Sequence, residues 1–332
     1  MLEFFRRFVG RDAGRTRKSR GRAVCRLAPL DVETLGDRVM LSATPLRLAV
    51  LGDSLSAPYP APGPTNPPPN YGSAGDQSWV QQLQSLDSTR IVITDEAFPG
   101  ATSNSLFQSE AGHAAQVPAV VNLVAHHAVD AAVLLIGAND VAQDLPLLAT
   151  NPASFVSTFV TTVVTNVETA VQTMAAAGHV RLVVGNVPDV TVTPGFQAVV
   201  PAAAIPVVEE AITLANQQID AFAATHMLPV VDMYGLTHIL NQSLAYGGTT
   251  VTNLYSPDFF HPNSVGQGIL ADTVLDALHE GYDLNVRRLR LSDQQVLSEA
   301  HVAHPRGHTF FDVNPFVIAT EDAHEHGGGF ER

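Results

Sequence analysis

Residues 46–55 read Leu46-Arg47-Leu48-Ala49-Val50-Leu51-Gly52-Asp53-Ser54-Leu55, an apolar run that stops at a Gly-Asp-Ser turn signal. A strand with one solvated face alternates apolar and polar residues. This run does not, and near-continuous apolarity suits a strand covered on both faces, as in a parallel sheet. Four further runs share its character, at 90–94, 131–136, 180–184 and 228–231. Longer segments with helical spacing alternate with them, at 77–87, 113–127, 153–177, 205–224 and 263–279. In the last, Val265, Ile269, Leu270, Thr273, Val274 and Ala277 mark one face, Asn263 can cap the start and Pro262 blocks extension backwards. Five strands alternating with five helices predict an α/β domain of three layers, α/β/α, around a parallel sheet of about five strands.

The rest of the 332-residue chain is organised around that unit. The formal net charge of −14 averages two unlike parts: residues 1–47 hold 11 of the 18 basic residues and 5 of the 32 acidic ones, so the remainder carries a net −20. A body of that charge repels nucleic-acid phosphates and anionic headgroups, which excludes a polyanion-binding function despite the basic start. No apolar run reaches the roughly 18 residues of a membrane span. The single cysteine, Cys25, leaves the body without a disulfide or a cysteine-based metal site. Residues 1–45 form a basic, mostly disordered sorting segment, 46–283 the α/β domain, and 284–332 a peripheral extension containing His301, His304, His308, His324 and His326. Those histidines read as a solvated tail. The stretch 57–75 carries seven prolines and is expected to be a long surface loop beside the first strand's end.

In open α/β sheets, ligands bind at the carboxyl ends of the strands. After strand one comes Gly52-Asp53-Ser54-Leu55, after strand two Phe98-Pro99-Gly100-Ala101-Thr102, and after strand three Gly137-Ala138-Asn139-Asp140; Asp258-Phe259-Phe260-His261-Pro262 precedes the final helix. One rim thus receives the parts that acyl transfer needs. A serine hydroxyl is a poor nucleophile until a base takes its proton, which makes Ser54 the nucleophile and His261 the base. A carboxylate on the other ring nitrogen fixes the imidazole's tautomer, and Asp258 lies three residues away. The oxyanion donors are then the Ser54 amide, the Gly100 amide and the Asn139 side chain. Asp53 and Asp140 read as hydrogen-bonding turn residues. Tyr255, Phe259 and Phe260 are either acyl-pocket walls or core, and the 57–75 and 243–256 segments are placed to wall the acyl site.

These four blocks resemble those of the SGNH (GDSL) hydrolase superfamily over about residues 46–280. The resemblance implies a flavodoxin-like α/β/α fold with no cofactor and no metal. It implies ester hydrolysis through Ser54, Gly100, Asn139 and His261, with Asp258 completing a Ser-His-Asp triad. Asn186-Val187-Pro188-Asp189-Val190-Thr191 also resembles a loop that follows the fourth strand in some lipolytic members, and no catalytic role is assigned to it. The expected substrate is a small-molecule or carbohydrate acyl ester, with a short or medium acyl group or an acetylated sugar. Leu30–Ala43 resembles an N-terminal segment found on many exported bacterial proteins, so export to the extracellular space or envelope is expected, although no conventional signal peptide precedes it; the alternative is a cytoplasmic location. Two other functions remain open at this point. One is metal-assisted phosphoester hydrolysis through Asp53, Asp140 and nearby histidines, for which paired ligand spacing is lacking. The other is a non-catalytic extracellular carbohydrate-binding or scaffold protein on the same fold.

Overall fold

Five strands lie parallel: β1 (Leu46–Gly52), β2 (Ile91–Asp95), β3 (Ala131–Leu135), β4 (Arg181–Gly185) and β5 (Val230–Val231). They come from a computed structural model that describes residues 45–59, 76–86, 90–246, 249–252, 254–284, 286, 289, 291–292 and 317–318. Their order is β2-β1-β3-β4-β5. Alternate residues of each strand enter opposite cores, which is why the runs are continuously apolar: Ala49, Leu51, Ala132 and Leu134 face one side, while Leu48, Val50, Val133 and Leu135 face the other. The first side is covered by α2 (Gln116–Ala125), α4 (Pro152–Ala177) and α6 (Ile205–His226), the second by α1 (Trp79–Leu86), α7 (Met233–Leu240) and α8 (Ser264–Tyr282). The result is the three-layer α/β/α fold expected from the sequence.

Several local signals take effect as their chemistry dictates. Asn151 caps α4, its side chain accepting from the Ser154 N–H, with Pro152 at the first helical position. Asn263 caps α8, accepting from the Val265 and Gly266 N–H groups at 3.0 and 3.2 Å. Helix α8 departs from the one-faced amphipathic reading, because every residue from Ser264 to Leu278 is buried. It lies against the sheet and is itself covered by α1 and by Val286, Leu289 and Leu291.

Residues past 283 are therefore not wholly peripheral. Val286, Leu289 and Leu291 are core residues, the Leu291 N–H donates to Asp272 Oδ1 at 3.0 Å, and β8 (Val317–Ile318) adds an antiparallel sixth strand to β5. Besides β8, the sequence carried no expectation of α3 (Ala138–Thr150), α5 (Pro194–Val199), α7 or the hairpin β6 (Leu244–Tyr246) with β7 (Thr249–Val251). The basic segment up to 44, the proline-rich residues 60–75 and the five C-terminal histidines lie outside the described residues.

Candidate active site

Strand order places the chain reversal between β1 and β3, and a ligand crevice opens at such a point, outside the strands' carboxyl ends. Strand β1 leaves the sheet through Gly52. A Cβ there would come within 2.3 Å of the Leu135 carbonyl on β3, so the close approach requires glycine. The Gln116 side chain brackets the same residue, its Oε1 accepting from Gly52 N–H at 2.8 Å and its Nε2 donating to Gly52 O at 2.9 Å. The chain then turns about Asp53. Its Oδ1 accepts from Leu55 N–H at 2.9 Å, while its carbonyl accepts from the Ser56 and Ala57 N–H groups. Ser54 sits at this turn.

The imidazole arrives on the turn between β7 and α8. Ser256 N–H donates to His261 O and Phe259 N–H to Ser256 O, both at 2.8 Å, with Phe259 at φ +57. Asp258 closes the turn from inside: its Oδ1 accepts from the backbone N–H groups of Phe260 and His261, each at 2.9 Å. Its Oδ2 lies 2.8 Å from His261 Nδ1, and His261 Nε2 lies 2.7 Å from Ser54 Oγ. Burial pushes the Asp258 carboxyl up, but the His261 hydrogen bond and charge, with the two backbone donors, outweigh it and hold the group below the ordinary aspartate value. An ionised carboxylate only accepts, so Nδ1 carries a proton, and in the neutral imidazole Nε2 is then left to accept from the serine hydroxyl.

The other two predicted residues flank the serine because β2 and β3 flank β1. Ala101 N–H donates to Phe98 O at 3.2 Å, closing a turn in which Gly100 has φ +83, as the third residue of a type II turn requires. Asn139 stands in the first turn of α3, and its Nδ2 donates to Ala101 O at 3.0 Å, tying the two loops together. An NH2 group has a second hydrogen to offer. Asp140 supports this junction from behind, accepting from the Ser103 N–H and, at 2.6 Å, from the Ser103 hydroxyl. Burial raises the Asp140 carboxyl to about 6, against the pull of those donors. Burial likewise raises Asp53 to about 7, with the nearby Asp140 charge adding to it.

A profile of the GDSL-like Lipase/Acylhydrolase family matches residues 50–269, which carry all of this geometry. The chain belongs to that family. No curated protein matches it. Among solved structures, similarity extends to a lipase from a goat rumen metagenome, at 15% identity and TM-score 0.49 over 70% of this chain and 97% of that one. An acetylxylan esterase from Geobacillus stearothermophilus gives 16% identity and TM-score 0.44 over 72% and 96% of the two chains. An extracellular lipase from Streptomyces rimosus gives 16% and 0.44 over 71% and 99%.

Membership in a hydrolase family directs attention to the space in front of His261. A cleft of about 260 Å³ runs from Asn139, Asp258 and His261 between α3 and α5, walled by Ala142, Leu145, Phe196, Val199 and Phe260. The sequence named Phe260 as a candidate wall but not the residues of α3 and α5; of the two segments it placed beside the acyl site, 57–75 lies mostly outside the described residues. The signal for α5 was present, as a Thr193-Pro194 pair in which the Thr193 hydroxyl accepts from Phe196 N–H. Of the three aromatic residues considered, Phe260 lines the cleft, Phe259 is 54% exposed, and Tyr255 is buried behind the site. The 186–191 loop contributes Val190 to the cleft wall, while Asp189 turns inward to accept from the Thr191 N–H and hydroxyl. Among the described residues, no group of three or more His, Cys, Asp or Glu side chains is placed to hold a metal ion. Among them too, no helix is long and apolar enough to cross a membrane.

Proposed function

We propose that this chain is a carboxylic ester hydrolase in which Ser54, His261 and Asp258 act as a triad and the Ser54 amide, the Gly100 amide and the Asn139 side chain receive the oxyanion. The observation that carries the reading is the unbroken relay from Ser54 Oγ to His261 Nε2 at 2.7 Å and from His261 Nδ1 to Asp258 Oδ2 at 2.8 Å. His261 Nε2 takes the hydroxyl proton as Ser54 Oγ bonds to the ester carbonyl carbon. The carbonyl electron pair moves onto oxygen, where N–H donors from three adjacent strand ends meet it. The imidazolium returns its proton to the leaving alkoxide, and a water activated by the same base hydrolyses the acyl-serine.

The cleft supports a short or medium acyl group, including acetyl on a carbohydrate. At about 260 Å³ it falls below the roughly 300–1,000 Å³ of pockets that enclose drug-sized ligands. The net charge of −20 on residues 48–332 favours soluble esters over anionic membrane surfaces, in keeping with an exported enzyme. A carbohydrate-binding scaffold would have no use for a serine and an imidazole in direct contact, so the 2.7 Å separation favours catalysis. The test is hydrolysis of a nitrophenyl ester series from acetate to octanoate by wild type and Ser54→Ala. Loss of at least about 10³-fold in kcat is expected. Equal rates in the two proteins would overturn the assignment.

A further inference from the structure

Behind Phe260 lies a second, smaller cavity of about 30 Å³, whose deeper walls include Leu55, Met233, Leu236, Leu240 and Tyr255. Its lining is almost entirely carbon. The two threonine hydroxyls on it are already committed to backbone carbonyls, Thr193 to Val190 O and Thr237 to Met233 O at 2.8 and 2.7 Å. An apolar space of that kind offers water nothing to bond and stays dry. Three residues, Ala138, Val190 and Phe260, belong to both this lining and that of the catalytic cleft. They therefore form the partition between the two spaces. Phe260 has the largest side chain of the three, is only half-buried, and sits beside the base with its ring centroid 5.2 Å from that of His261.

We propose that Phe260 is the acyl-length determinant of this enzyme: its ring is the end stop of the acyl cleft, and the cavity behind it is an acyl subsite that the ring shuts off. The inference rests on the ester-hydrolase reading and adds to it the residue that sets chain length. A dry, carbon-lined space one ring away from the catalytic cleft suits a methylene chain and little else. Only an acyl tail growing from the ester carbonyl would reach it in register with the reaction. As the site stands, chains that outgrow the cleft meet the Phe260 ring. Removing the ring joins the two spaces.

Each methylene moved from water into such a space favours the transition state about fourfold. Phe260→Ala should therefore raise the ratio of kcat/KM for nitrophenyl octanoate over butyrate by about tenfold or more. That ratio is measured on one preparation and does not depend on the fraction correctly folded. Val190→Ala, a milder opening of the same partition, should move it in the same direction. Leu236→Phe added to Phe260→Ala fills the inner cavity from its far wall and should bring the ratio back toward wild type. A ratio unchanged in both opening variants, or one that the filling substitution fails to reverse, would overturn the proposal. Absence of hydrolysis by wild type, or hydrolysis undiminished in Ser54→Ala, would instead overturn the ester-hydrolase reading beneath it.

Discussion

Asp53 makes stability pH-dependent in a direction opposite to that of most salt-bridged carboxylates, and Asp53→Asn isolates the effect. The side chain is wholly buried; Oδ1 accepts from Leu55 N–H, and Oδ2 has no hydrogen-bond partner among the described residues. Burial raises its pKa from an ordinary 3.8 to about 7, with the Leu55 hydrogen bond pulling the other way. Between about pH 4 and pH 7 the folded protein thus binds more protons at this site than the unfolded chain does, so stability falls as pH rises through the window. It is highest below the unfolded value and has lost its full share above the folded one. Three pKa units correspond to roughly 4 kcal/mol across the whole window, and about 2–3 kcal/mol of that falls between pH 5 and pH 8. Asparagine has the shape of the neutral acid and keeps the acceptor for Leu55 N–H, but it does not titrate. Urea unfolding of both proteins from pH 4.5 to 8.5, at constant m-value, reads the difference directly. The free-energy gap between Asp53→Asn and wild type should shift in favour of the variant by about 2–3 kcal/mol between pH 5 and pH 8. Parallel stability curves would refute the reasoning and mean that the buried carboxyl is ionised throughout or solvated in the native state.

Two further predictions follow from the site's construction. If the Asn139 side chain donates to the oxyanion as proposed, Asn139→Ala should lower kcat by about 100- to 1,000-fold with little change in KM, measured on nitrophenyl acetate; a loss confined to KM would mean that the side chain binds substrate rather than the oxyanion. Asp76→Ala removes the acceptor for the Ser264 N–H, the Ser264 hydroxyl and the Ser256 hydroxyl. It should cost about 1–3 kcal/mol in urea unfolding and reduce kcat more than KM, whereas unaltered kinetics would show that the His261 turn is held without it.

The five parallel strands were legible in the sequence because burial on both faces leaves a one-dimensional mark, an apolar run without alternation. Strand β5 is shorter than its run, since Pro229 has no N–H and the ladder begins only at Val230, although Pro229 O still accepts from Val184 N–H. The residues proposed as a triad could be picked out for a related reason: Ser54 closely follows a strand, and Asp258 and His261 belong to one turn. Helix α3 was not legible, because Gly137–Asp140 looks like a loop and Pro146 looks like a breaker, yet the helix starts at Ala138 and runs through Pro146 to Thr150. Helices α5 and α7 are six and eight residues long, too short for a period to emerge, and only their caps announced them: Thr193-Pro194, and Asp232 accepting from Gly235 N–H at 2.9 Å. The cleft beside His261 was illegible because its walls come from α3, α5 and the His261 turn, and no sequence pattern links these three. Val286, Leu289 and Leu291 likewise needed α8 in place before their burial could be seen.

The same dependence explains how His261 is held at hydrogen-bond distance from Ser54, 207 residues away. A turn as tight as 256–262, carrying a positive φ at Phe259, needs support from outside itself. That support comes from the two ends of the proline-rich stretch. On one side Tyr59, buried against the turn, donates its hydroxyl to Pro262 O at 2.9 Å and accepts from Gln267 Nε2 at 2.7 Å. On the other, Asp76 holds Ser264 and Ser256, which stand just outside the two ends of the Pro257–Asn263 segment. Gln267 then returns to α1 by accepting from Trp79 N–H at 3.0 Å, and the Trp79 indole donates to Ser56, two residues past Ser54. The Ser54 turn, α1, α8 and the His261 turn are thereby closed into one hydrogen-bonded circuit, largely buried, where each bond keeps more of its electrostatic strength than in water.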